Sequence, residues 1–165
     1  MVSSNLCASL HCDINLPHRG AILESLLNGT VTQDPTVLRT ILAVLKQIIQ
    51  HWFTELGPSR ALNDVNLCRL ALHQLTERCF QFCLTPRFDL ADANTNLVLR
   101  DLAALQIALA SLFREAFTHV LQSFLSISLR CPPTLIEQYV AFVSQPSQSG
   151  QFKQFLQEFI RKMRN

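Results

Sequence analysis

Apolar residues recur along this chain with a period near 3.6, and that pattern predicts nearly all of its secondary structure. The longest clean stripe is Leu38, Ile41, Leu42, Leu45, Ile48, Ile49, Trp52 and Leu56, which places one apolar face along a helix over residues 35–56. Asp34-Pro35 supplies a cap and a pre-set first turn, and Gly57-Pro58 ends the helix. A shorter helix is predicted ahead of it from about Pro17 to Asn28, with Gly29 just past its end. A third is expected from Asp64 to about Leu84. Cys68, Ala71, Leu72, Leu75, Cys79 and Phe82 line one face, and Pro86 is its stop. A long fourth starts from a cap at Asp89 or Asp92 and reaches about Arg114. It is apolar almost all round, as suits a helix sandwiched between neighbours. Residues 116–129 continue as helix after a kink or a tight turn that the pattern does not place. Pro132-Pro133 opens another, with Leu135, Ile136, Tyr139, Val140 and Val143 inward. Residues 145–150 read as a loop. The last helix carries Phe152, Phe155, Leu156, Phe159, Ile160 and Met163, and ends in Arg161, Lys162 and Arg164.

The expected fold is therefore all-α, with six or seven antiparallel helices joined by short loops. A compact bundle satisfies that pattern, and so do antiparallel helix pairs stacked as a HEAT-like α-solenoid segment. Composition favours the solenoid. Hydrophobic residues make up 48% of the chain and charged ones only 16%, which suits an array whose apolar end face is covered by a neighbouring repeat. Residues 17–165 form the helical segment in this reading, and residues 1–16 an incomplete or poorly ordered lead-in.

Several function classes have no support. The best candidate for a membrane span, Leu97 to Phe113, carries Arg100 and Asp101 inside it, so no span is expected. Cys7, Cys12, Cys68, Cys79, Cys83 and Cys131 are irregularly spaced with no secretory leader ahead of them, which reads as reduced thiols. Cys7, His11 and Cys12 lack a second ligand pair for a metal. Cys79 and Cys83 sit one turn apart on an apolar face, as small core residues do. No Gly-rich phosphate loop or nucleophile elbow appears, and His51, His73 and His119 have no identifiable catalytic partner. An enzyme, a cofactor and a metal are all unexpected.

A more specific signal lies in Phe88-Asp89-Leu90-Ala91-Asp92-Ala93-Asn94-Thr95, which resembles the start of a late helix in the exportin-T family. Upstream, Ile41 to Trp52 resembles the preceding helix of that family, which also ends in Trp and runs into Gly-Pro. Downstream, Pro133 to Tyr139 and Phe152 to Phe159 resemble its final two helices. Order and spacing agree across about residues 20–165. In one place the chain departs from the pattern: Arg114-Glu115-Ala116 stands where a Gly-Pro type break is expected. Members of the family are several times longer, so the resemblance implies a carboxy-terminal segment. It also implies a nuclear tRNA export receptor of the importin-β-like class. Such a receptor binds tRNA by shape and backbone together with Ran-GTP, passes nuclear pore proteins and shuttles between nucleus and cytoplasm.

Charge narrows the candidate contacts with RNA. The net charge is only +2, but Lys153, Arg161, Lys162 and Arg164 share residues 151–165 with a single acid, Glu158. These four are the RNA-binding candidates, because a phosphate backbone is met by clustered cations. Arg60, Arg87 and Arg130, at expected helix ends or loops, are weaker ones. Each of these cations equally suits a solvated surface or a helix carboxy end. A protein-binding helical scaffold, another karyopherin segment without RNA cargo and a small-molecule-binding bundle remain open alternatives.

Overall fold

A computed structural model describes residues 18–32, 34–56, 68–145 and 149–164. Residues 1–16, Cys7, His11, Cys12, Arg60, the Asp64 helix start and Gly57-Pro58 lie outside the described residues. The described chain is all-helical. Its helices are α1 (Arg19–Gly29), α2 (Pro35–Leu56), α3 (Leu75–Leu84), α4 (Ala93–Phe113), α5 (Glu115–Ser123), α6 (Pro133–Val143) and α7 (Ser149–Arg164). A π-helical turn, Arg69–Gln74, leads into α3, and a second, Phe124–Ser128, extends α5. The last helix starts at Ser149, so Gly150, expected in the loop, falls inside it.

The helices form two layers. On one side α1 meets the π-turn before α3, and that turn meets α5; on the other α2 meets α4, and α4 meets α6. This is the neighbour-on-neighbour order of stacked helix pairs. The final helix departs from it by folding back across α3 and α4. By length and composition α4 is apolar enough to cross a membrane. In this molecule it is the central packing element, in contact with α2, α5, α6 and α7. Its one internal carboxylate, Asp101, accepts from Arg39 Nε of α2 at 3.0 Å, which pins the two longest helices in register.

Caps and breaks explain the boundaries. Asp34 Oδ1 accepts from the amides of Thr36 and Val37 and so closes the start of α2. Of the two cap candidates for α4, Asp92 is the one used, accepting from Thr95 N at 2.8 Å, while Asp89 folds onto Ala91 N. Gly29 is not the left-handed residue beyond α1 that its position suggested. It ends α1, and the cap is Thr30, whose hydroxyl donates to Leu27 O at 2.6 Å. The glycine serves close approach instead: a Cβ there would lie 3.0 Å from Ile41 Cδ1 of α2.

The break between α4 and α5 occurs at Arg114, with φ 44° and ψ −115°. That is a glycine-favouring conformation held by a residue with a Cβ. Arg130, at φ 52°, takes the left-handed position after α5. Where a Gly-Pro break was expected, the chain makes its turn by backbone strain.

The core is continuous from Leu23 in α1 to Ile160 in α7. Between α1 and α2, the buried Arg19 guanidinium lies 5.0 Å from the Trp52 ring. At the other end, Tyr139 of α6 is fully buried and ringed by Phe80, Phe152, Phe155 and Phe159, with centroids 5.0–5.7 Å away. Its hydroxyl donates to Gln106 Oε1 of α4 at 2.7 Å. One side chain thus joins α3, α4, α6 and α7.

Two outcomes are expected. Tyr139→Phe strands the buried Gln106 carbonyl and lowers stability by about 1–3 kcal/mol in urea unfolding. Arg114→Gly releases strain worth about 1–3 kcal/mol against a smaller entropy cost in the unfolded chain. It therefore raises the thermal midpoint by about 2–4 °C, a gain of about 1 kcal/mol at this chain length.

Candidate nucleic-acid interface

The four basic candidates all lie on α7, whose buried stripe is Phe152, Leu156, Phe159 and Ile160. At about 100° per residue, Lys153, Gln157 and Arg164 fall within about 40° of one another, on one flank of that stripe. Arg161 is about 80° and Lys162 about 180° from Lys153 around the axis. The four do not make one patch, because the spacing spreads them over the whole outer arc.

The flank carrying Lys153 and Arg164 faces the connection between α3 and α4. Gln157 Nε2 donates to Leu90 O at 3.3 Å. Seven residues on, Arg164 Nη2 donates to Cys83 O and, at 2.7 Å, to Thr85 O. Its guanidinium also lies 5.9 Å from the Phe88 ring. Arg164 therefore supplies a cation to the carboxy end of α3, where carbonyls lack helical partners. It also clamps the end of α7 onto residues 83–88. Arg161 and Lys162 are exposed and make no hydrogen bond or ion pair among the described residues, and Lys153 is half-buried. Those three keep their charges available for an outside anion.

Arg87 and Arg130 are exposed at the connections where the sequence puts them. The docking of Arg164 places Arg87 beside the end of α7. It also brings Arg78 of α3 into the same region, through a cleft lined by Arg78, Arg87, Thr85 and Phe88. Arg78 was not among the sequence candidates. It is half-buried on α3 between the buried pairs Leu75-Thr76 and Cys79-Phe80, and the sequence carries no signal that sets it apart. Arg78 Nη1 donates to Gln81 Oε1 at 3.1 Å, and Gln81 in turn donates to Glu77 at 2.8 Å, which orients the guanidinium.

Among the described residues, the buried thiols and phenol are held in their neutral forms. Burial pushes the Cys79 thiol up to about 12 and raises that of Cys83 further from ionisation, with Arg164 only partly opposing. Burial likewise raises Tyr139 well above the ordinary phenol. These groups stay protonated and serve packing. No group of three or more metal-ligating side chains gathers among the described residues.

The two polar ends of this site separate by experiment. Arg164→Met keeps the apolar stem but strips the donors from the Cys83 and Thr85 carbonyls, and costs about 1–3 kcal/mol in thermal unfolding. Arg161→Ala and Lys162→Ala change stability by less than about 0.5 kcal/mol.

Comparison with known proteins bears on the whole chain. The exportin-T family profile matches residues 1–164. Exportin-T of Mus musculus is 27% identical over 144 residues, which cover 86% of this chain and 14% of the relative. Exportin-T of Mycosarcoma maydis is 23% identical over 173 residues, 99% of this chain and 15% of the relative. Exportin-T of Dictyostelium discoideum is 20% identical over 169 residues, with nearly the same coverage. No solved structure matches the chain. The chain spans about one seventh of the length of these relatives. Matched by the family profile over residues 1–164, the chain belongs to the exportin-T family.

Proposed function

We propose that this chain is one segment of a nuclear export receptor for tRNA, and that it acts by binding rather than by catalysis. The observation that carries the reading is the family match over residues 1–164. In this reading the receptor holds tRNA by shape and backbone, together with Ran-GTP, and carries it past nuclear pore proteins between nucleus and cytoplasm. A double-stranded A-form surface offers phosphates and 2′-hydroxyls, not base edges, to a protein groove. Exposed long cations on a rigid helix suit that surface. Lys153, Arg161 and Lys162 are the phosphate contacts, and Arg164 contributes chiefly by holding the end of α7 in place. Ran-GTP is engaged mainly by repeats outside this chain.

The test is fluorescence anisotropy of labelled tRNA titrated with this chain at a series of salt concentrations. Weak binding is expected, with a dissociation constant of about 1–100 μM at physiological salt, as for phosphate-driven contacts in general. Arg161→Ala and Lys162→Ala should each weaken binding to different tRNAs equally and lower the salt slope by about one. Failure of the full-length receptor containing this segment to bind tRNA with Ran-GTP, even at about 50 mM salt where such contacts are strongest, would sink the RNA role and leave a protein-binding helical scaffold.

A further inference from the structure

The carboxy end of α7 is fastened to two connections. Arg164 Nη2 holds the carbonyls of Cys83 and Thr85 after α3. One residue earlier, Met163 meets the α5–α6 connection, where the Cys131 thiol donates to its Sδ at 3.7 Å. Cys131 is 7% exposed, and its amide donates to Leu125 O at 2.9 Å, so backbone and packing together fix this partner. Met163 lies one turn beyond the buried Phe159, at the outer end of the apolar stripe of α7. It packs against the core yet is only half-buried.

Among the sulfur atoms of the described residues, this one differs in chemistry and in exposure. Cys79, Cys83 and Cys131 are buried, and burial raises all three thiols away from the thiolate that meets oxidants. Cys68, just ahead of the π-turn before α3, is half-buried too, but as a thiol it also reacts through its thiolate. A thioether needs no ionisation, and its susceptibility follows its exposure.

We propose that Met163 is a reversible oxidation site, and that its sulfoxide unfastens the end of α7. The co-reactant is a hydroperoxide. The thioether lone pair attacks one peroxide oxygen, the O–O bond breaks and an S–O bond forms. The departing hydroxide takes the proton of the transferred oxygen and leaves as water, so sulfur gives up the two electrons that the peroxide gains. A methionine sulfoxide reductase returns the thioether at the expense of two thiols, which become a disulfide, with water as the other product. An oxygen on Sδ enters a sulfur–sulfur contact already at van der Waals distance and makes an apolar side chain polar. The last turn of α7 then gives way, and Arg164 loses its fixed approach to Cys83 and Thr85. This goes beyond the RNA-binding reading and stands or falls without it.

The experiment treats the chain with hydrogen peroxide at about pH 6, where thiolates are scarce, and follows peptide mass, thermal unfolding and hydrogen exchange. The chain holds two methionines, Met1 and Met163, so a gained oxygen is assigned by peptide. The expected results are an oxygen on Met163 and a thermal midpoint lower by about 3–8 °C. Hydrogen exchange rises about tenfold or more over residues 157–164, while α2 and α4 keep theirs. Methionine sulfoxide reductase restores all three. Met163→Leu fills similar space without an oxidisable sulfur, and its midpoint holds under peroxide. Met163→Gln carries the polarity from the start and shows the lowered midpoint without peroxide. The proposal is overturned by a Met163 that stays unoxidised in the folded chain, or by oxidation that leaves midpoint and exchange unchanged. An equal fall in Met163→Leu overturns it too, by handing the effect to the thiols. So does a Met163→Gln midpoint equal to that of the untreated chain, or faster exchange spread evenly over all helices.

Discussion

A phenol cannot be buried among four helices without a partner for its hydroxyl, and the far end of this molecule is organised around meeting that demand. Tyr139 finds its acceptor in Gln106 of α4 and is enclosed by rings from α3 and α7. The hydrogen bond fixes the depth and rotation of α6 against α4. The rings fix where α7 can lie, because Phe152 and Phe159 pack edge-on against the same tyrosine. Once α7 is set there, its flank meets the α3–α4 connection, and Gln157 and Arg164 find Leu90, Cys83 and Thr85. The basic end of the chain and the cleft beside it thus inherit their positions from a neutral bond in the core.

The terminal cations illustrate why charge alone says little about use. All four candidates belong to one short helix and look alike in sequence, yet their surroundings divide them. Arg164 closes the open carbonyls of α3 and packs by Phe88, while Arg161 and Lys162 stand in solvent. An arginine near a helix carboxy end lowers its own energy most by finding carbonyls, and the fold-back of α7 supplies them. Stability and anion recognition therefore rest on neighbouring side chains of the same helix, and they can be changed independently.

Much of this was legible in the hydrophobic period. The stripe from Leu38 to Trp52 gave α2 its buried face, and the all-apolar character of α4 marked it as the central helix. The exposed state of Arg161 and Lys162 followed from the same wheel. What escaped were features with no local signature. The break at Arg114 carries neither Gly nor Pro, because tertiary packing rather than local preference imposes it. The two π-turns leave no mark in a period of 3.6. Asp89 and Asp92 are both sound caps, and only the course of the connection decides between them. The cleft draws its walls from α2, α3, α4 and the loops that precede α2 and α4, so no stretch of sequence announces it.

The strained turn at Arg114 bears on shape as well as stability. In a stacked-helix array the small rotation from one pair to the next accumulates into the curvature of the concave side. A left-handed φ held by packing sets the angle between α4 and α5 sharply, where a glycine would allow a range. The strain at this one residue thus fixes the angle at which α5 leaves α4. A chain relieved of it would hold its fold more firmly and its bend less so, a trade of rigidity of form against free energy of folding.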